Sequence, residues 1–188
     1  VKAKTLNFGM AYGAEGENVE EQIMTNALRY PELEIRVPSL QECKDMVKQF
    51  WRAAPEAMEW KNAVVEIVRE RGFSETLYGR RRYLPHIRSG NSELRSHAER
   101  QAVNHVIQGT AADIIKMAAL LIYEDAPKFG ADLRAQIHDE LMGRIVADEA
   151  TQQRWLAQVT ADMLLDQPLM PVPLKVDPRL VGNWREAK

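Results

Sequence analysis

Apolar and polar positions along the chain follow a helical period first and an extended one later. Residues 4–12 read as a helix that Gly13 stops. A second helix is predicted from Val19 to Arg29, followed by an irregular excursion between Tyr30 and Pro38, where prolines break the pattern. Ser39-Leu40-Gln41-Glu42 has the form of a capping box and predicts a helix over residues 40–53. Pro55 opens the next helix, and Gly72 lies just past its end near Arg71. After a turn at Leu77-Tyr78-Gly79, a long helix is predicted from Ser92 to about Ala126, irregular at Gly109. The period then drops to two: Leu133, Ala135 and Ile137 alternate with polar residues, and Leu141 to Val146 forms a second strand-like run. Together they predict a β-hairpin with His138, Asp139 and Glu140 at its tip. A helix from Glu149 to Leu165 and a proline-rich strand from Val172 to Val176 complete an α+β arrangement.

Composition changes this picture little. Hydrophobic residues make up 45% and charged residues 28%, which suits a water-facing globular chain. No uninterrupted apolar run approaches the roughly 20 residues that span a bilayer, so no membrane role is expected. The first residues lack the apolar core of a secretory signal. The single cysteine, Cys43, excludes an internal disulfide and fits a reducing compartment. Net charge is −2, but residues 69–100 hold eight arginines against four glutamates. Such a surplus is either a solvated face or an electrostatic footprint for an anionic partner.

Three constellations carry candidate chemistry. Lys4, Phe8 and Tyr12 share one helix face at a spacing of four. They would bind a phosphate and stack a base, or else form an ordinary amphipathic face. Arg100, Asn104 and Gln108 repeat that spacing, and their donors and acceptors suit the minor-groove edge of base pairs, where A·T and G·C share the N3/O2 acceptors. A hydrated polar face is the plainer reading. Asp139 and Glu140 put adjacent carboxylates at a hairpin tip, where a hard cation such as Mg2+ would offset their repulsion. A simple polar turn has the same composition.

Four motifs in order bring the three together. Residues 4–13 (KTLNFGMAYG) resemble the nucleotide-binding helix of family A DNA polymerases, the bacterial DNA polymerase I type. Residues 75–85 (ETLYGRRRYLP) resemble the family's arginine-rich turn, residues 99–113 (ERQAVNHVIQGTAAD) its long palm helix, and residues 136–141 (QIHDEL) its catalytic hairpin. The resemblance implies fingers over 1–75 and the C-terminal part of the palm over 76–188. It implies that Lys4 binds the incoming deoxynucleoside triphosphate and that Phe8 packs on its sugar and discriminates against dideoxynucleotides. Tyr12 and Gly13 would lie by the templating base. Arg81, Arg82, Arg100, Asn104, Gln108 and His138 would contact primer-template DNA. Asp139, with Glu140 secondary, would ligate catalytic magnesium in a two-ion reaction. The expected setting is the cytoplasm of a bacterial or phage-infected cell, with organellar origin left open.

Two family features have no counterpart here: an arginine that would fall just ahead of Val1, and an upstream carboxylate motif that supplies the second metal-binding aspartate. The remainder of a polymerase chain upstream is therefore an expected partner, and these residues alone are expected to be inactive. Residues 28–39 read as an insertion in the fingers. A single-subunit, phage-type RNA polymerase and a non-catalytic DNA-binding module are the competing readings. Glu140 after His138-Asp139 and the QGTAAD run favour the DNA enzyme.

Overall fold

The computed structural model describes residues 7, 9–164 and 172–187. Lys4 and Phe8 lie outside the described residues. The helices are α1 (Gly16–Arg29), α2 (Leu40–Ala53), α3 (Pro55–Arg71), α4 (Ser92–Asn104), α5 (Thr110–Asp125) and α6 (Glu149–Leu164). The strands are β1 (Phe73–Glu75), β2 (Arg81–Tyr83), β3 (Ala131–Ile137) and β4 (Glu140–Ile145), in two antiparallel two-stranded sheets. This is an α+β chain, as its periodicities predict.

Local chemistry explains the boundaries. Ser39 Oγ accepts from the Glu42 backbone N–H while the Glu42 carboxylate accepts from the Ser39 N–H, closing the capping box that starts α2. Gly72 ends α3, its N–H bonded to the Val68 carbonyl. α1 begins at Gly16, three residues before the predicted start, because Glu15 and Asn18 cap each other's backbone in a box without Ser or Thr.

The structure corrects three other expectations. Phe73–Glu75 pairs with Arg81–Tyr83, so the Leu77-Tyr78-Gly79 turn joins a short hairpin that its three-residue strands were too brief to announce. The tip of the later hairpin holds two residues, not three: Glu140 pairs with Ile137 and belongs to β4. Val172 to Val176 forms no strand, and Pro173 within it has no N–H to give a ladder.

Two compact units emerge from the packing. The described residues of Val1–Glu75 and Arg81–Val106 form one, those of Thr76–Arg80 and Ile107–Lys188 the other. These units of packing differ from the expected division into 1–75 and 76–188. In the first unit, Met10, Val19, Ile23 and Cys43 form one core, and Val68, Leu84, Ile87, Ala98 and Ala102 another. Cys43 is fully buried, and that burial pushes its thiol pKa up, so it behaves as a small apolar side chain. The second unit is built on Ile122, Ala126, Ala131 and Trp155, with Phe129 tilted against Trp155 at 5.2 Å between centroids.

The irregularity expected at Gly109 is a π-helical turn over His105–Gly109 between α4 and α5. Ser92–Phe129 is long and apolar enough by composition to cross a bilayer, which the search for uninterrupted apolar runs missed. Ala98 and Ala102 feed one core and Ile122 and Ala126 another, so part of its apolar surface is packed inside the fold.

Candidate functional site

In the first unit, a short helical stretch ends at Ala11, Tyr12 enters a turn, and Gly13 follows with φ +88°, its N–H bonded to the Met10 carbonyl. An L side chain rarely adopts that backbone. A Cβ at Gly13 would also stand 3.2 Å from Arg100 Cγ and 3.5 Å from Cδ. Glycine is therefore required twice over: by conformation and by the close approach of α4. Beside this contact lies a cleft of about 300 Å3 lined by Gly9, Tyr12, Ala14, Asn18, His97, Arg100, Gln101 and Asn104. Two motifs nearly ninety residues apart in the chain thus converge on one concavity.

Its polar groups are arranged along α4. Arg100 Nη1 donates to Ser96 Oγ at 3.2 Å, which steadies the guanidinium stem. Asn104 Oδ1 is buried with no hydrogen-bond partner among the described residues. A buried amide oxygen left unmatched costs about 1–3 kcal/mol, so a donor arriving with a ligand would be stabilised there. Gln101 and His97 meet through their side-chain nitrogens at 2.9 Å. The sequence reading passed over Asn18, His97 and Gln101; the last two sit one turn from Arg100 and Asn104, a spacing that would have revealed them. Gln108 is exposed within the π-helical turn and belongs to the second unit. The wider turn ends the spacing-of-four argument after Asn104.

The arginine-rich segment is more structural than its charge suggests. Six of the eight arginines bond within the molecule. Arg69 bridges Glu66 and Glu99, each at 2.5 Å, and Arg88 donates to the carbonyls of Arg69 and Glu70. Arg95 donates to the Ser89 carbonyl, and Arg100 to Ser96 as above. Arg81 pairs with Glu75 at 3.0 Å and lies 4.7 Å from the Phe73 ring centroid. Arg80 donates to Asp113 at 2.7 Å and to the Gly109 carbonyl at 2.8 Å, the latter at the end of the π-helical turn. Thr76 Oγ1 donates to the other Asp113 oxygen at 2.7 Å, so one carboxylate ties the arginine-rich turn to α5. Arg71 and Arg82 are exposed and make no side-chain bond to another described residue.

In the second unit, the β3–β4 hairpin presents His138, Asp139 and Glu140, all exposed. His138 has φ 54°, uncommon for a residue with a side chain and what the first position of a tight two-residue hairpin turn demands. Gln136 Nε2 donates to the His138 carbonyl at 3.1 Å and braces the turn. Strain of this kind costs about 1–3 kcal/mol and persists where a turn must aim a particular side chain. Neither Asp139 nor Glu140 makes a side-chain bond with another described residue, which leaves hard oxygen donors open at the surface. Among the described residues no group of three or more potential metal ligands gathers. The tip therefore fits one part of a Mg2+ site, of the kind in which one or two protein carboxylates act beside substrate phosphates.

Comparison with known proteins extends well beyond the four motifs. The family described as DNA polymerase family A matches residues 1–186. The chain is 32% identical over 186 residues to the thermostable DNA polymerase I of Thermus filiformis, covering 99% of this chain and 20% of that protein. It is 33% identical to DNA polymerase I of Deinococcus radiodurans, covering 99% and 18%. It spans about a fifth of the length of these relatives. Among solved structures it resembles the POL domain of Pol1 from M. smegmatis, in complex with DNA primer-template and dNTP. The TM-score is 0.73 at 31% identity, covering 93% of this chain and 28% of that one.

Proposed function

Because the chain belongs to DNA polymerase family A, we propose that it supplies the fingers (1–75) and the C-terminal palm (76–188) of an enzyme that copies a DNA template. The observation that supports this best is the cleft that joins Gly9 and Tyr12 to Arg100 and Asn104, with Gly13 against the Arg100 stem beside it. In this reading Tyr12 and Gly13 border the templating base. Arg100 and Asn104 test the minor-groove edge of the newest base pair, where shared N3/O2 acceptors report pair shape rather than sequence. Gln108 and His138 act beside the DNA, and Arg82 offers its exposed guanidinium to a backbone phosphate.

The reaction is displacement at phosphorus. The primer 3′-oxygen forms a bond to the α-phosphorus of a deoxynucleoside triphosphate. The 3′-hydroxyl proton passes to solvent water, the bridging α–β P–O bond breaks, and pyrophosphate leaves with a proton from Lys4, which is reprotonated from solvent. Phe8 packs against the nucleotide sugar and disfavours dideoxynucleotides. Asp139, with Glu140 beside it, would hold magnesium, which when bound offsets charge on the reacting oxygens and lowers the pKa of the primer hydroxyl. A second carboxylate would come from an upstream segment of a longer chain, so the 188 residues alone are expected to incorporate no nucleotide in a primer-extension assay. The expected setting is the cytoplasm of a bacterial or phage-infected cell.

A primer whose terminal adenine carries 3-deazaadenine tests the minor-groove role, since the analogue lacks the N3 acceptor. The full-length parent should extend it roughly 5- to 30-fold more slowly than the normal primer, and Asn104→Ala should abolish that difference. Equal sensitivity in parent and variant would remove Asn104 from the minor groove.

A further inference from the structure

Between α1 and α2 the chain makes an excursion that exposes large apolar side chains. Of those within residues 28–39, Ile35 alone packs against the core of Met10, Val19, Ile23 and Cys43. Leu28 is 75% exposed and Leu33 53%, with Tyr30 and Val37 also exposed. Met24, one turn before Leu28 on the same side of α1, is 54% exposed. The backbone of the excursion is nevertheless held in place. Leu33 N–H donates to the Tyr30 carbonyl and Glu34 N–H to the Pro31 carbonyl, each at 3.1 Å, and Arg36 is bridged to Glu42 at 2.7 Å. Glu34 has φ 43°, a left-handed backbone that costs a residue with a side chain about 1–3 kcal/mol. A connection that only joined two helices would need neither that strain nor the exposed leucines, each of which forgoes about 1.5–3 kcal/mol of burial.

Charge selects what could cover this surface. From Glu15 to Glu42 the sequence holds seven glutamates and two arginines, a net of −5. Glu17 is paired with Lys44 at 2.8 Å and Glu42 with Arg36. Glu20, Glu21, Glu32 and Glu34 form no ion pair with any described residue. Glu21 lies three residues before Met24 and seven before Leu28, so α1 presents a carboxylate and apolar side chains along one stripe. A nucleic-acid phosphate backbone would be repelled here. A basic segment with large apolar side chains would satisfy both features. Amphipathic helices dock through apolar anchors at i, i+3 or i+4 and i+7, and cations beside such anchors steer the helix toward an acidic rim.

We propose that Met24, Leu28 and Leu33 form a docking surface for a lysine- and arginine-rich amphipathic helix of a partner protein. Leu28 and Leu33 take its apolar face, and Glu21 and Glu32 take its cations. The surface goes beyond the copying of DNA and uses none of the residues assigned to it. A partner held there would travel with the enzyme without competing for DNA, which an acidic surface does not attract.

The test titrates the full-length chain with a labelled peptide of about 18 residues, leucines at i, i+3 and i+7 and lysines around them, beside a scrambled peptide of the same composition. Fluorescence anisotropy should show the patterned peptide binding at least about 10-fold more tightly than the scrambled one. Leu28→Ser with Leu33→Ser should weaken binding about 10-fold or more, and Glu21→Lys with Glu32→Lys about 5- to 10-fold with a flatter salt dependence. All four side chains are exposed, so melting temperature and primer extension should match the parent, which separates a lost surface from a misfolded one. Equal binding of the scrambled peptide, or undiminished binding by the leucine variant, would overturn the proposal. Hydroxyl-radical footprinting should label Met24 and Leu28 in the free full-length chain and protect them in the complex. Protection in the free chain would mean that an upstream segment covers the surface, and a parent dimer that the leucine variant dissolves would mean that a second copy does; either would overturn it. A chain that binds the peptide through these residues yet extends no primer would refute the polymerase reading alone.

Discussion

Substituting Gly13 by alanine perturbs the contact between the turn after Tyr12 and the Arg100 stem. The new Cβ must accept φ +88°, which costs a side-chain-bearing residue about 1–2 kcal/mol. It must also enter a space where Arg100 Cγ stands 3.2 Å away, so the arginine stem has to yield by a few tenths of an ångström. That stem is flexible, but its guanidinium is bonded to Ser96, so the displacement moves the charged group rather than being absorbed along the chain. The expected penalty is about 1–2 kcal/mol in the site itself, or roughly 5- to 30-fold in any equilibrium that depends on it. Nucleotide incorporation by the full-length Gly13→Ala variant should fall by that factor, with thermal stability lowered by a few degrees at most. Gly13→Asn separates the two causes: asparagine tolerates a left-handed backbone far better but brings the same Cβ, so it should recover only the conformational part. Incorporation by Gly13→Ala equal to that of the parent would refute the reasoning that couples this glycine to Arg100.

Two further outcomes follow from partners seen in the structure. Arg82→Ala should weaken DNA binding and reduce the salt slope by about one, whereas Arg80→Ala, whose guanidinium is engaged by Asp113 and Gly109, should chiefly lower thermal stability; matching salt slopes for parent and Arg82→Ala would exclude a phosphate contact. Asp162 is buried on α6, with Gln158 donating to Oδ1 and nothing among the described residues bonded to Oδ2; burial raises its pKa, the Gln158 bond opposes this, Asp125 adds to it and Lys128 counters. Because the folded state then holds the proton more tightly than the unfolded chain, stability is greatest in acid and declines as pH rises from the ordinary carboxyl value through the raised one. Asp162→Asn should therefore raise the melting temperature at pH 7, by about 1–3 kcal/mol of stability, with the gain shrinking toward pH 4; a gain independent of pH would show that the charge is not the cause.

Much of the fold is legible in the chain because the signals are local. The Ser39–Glu42 box, Pro55 with Gly72, and the change of period near Leu133 each announce an element through chemistry that acts within a few residues. What escaped is set at a distance. β1 and β2 hold three residues each and exist because Ser74 Oγ donates to the Ala102 carbonyl at 2.7 Å and Phe73 packs on Tyr83. The arginine surplus looked like a phosphate surface because charge counts do not show partners; Glu99 and Asp113, thirty residues and more from the arginines they bind, turn much of it into internal scaffolding. The convergence of Tyr12 with Arg100 follows from family resemblance, but the need for Gly13 between them shows only in the backbone angle and the contact distance.

The central claim, that this chain carries the chemistry of DNA synthesis rather than DNA binding alone, rests on an exposed carboxylate held at a strained turn. Replacing Asp139 by alanine in the full-length protein, and following primer extension with Mg2+ beside primer-template affinity, addresses it directly. Turnover should fall on the order of 10³-fold or more while affinity for DNA stays within about twofold of the parent. Extension at the parental rate would contradict the account and leave a binding module in its place.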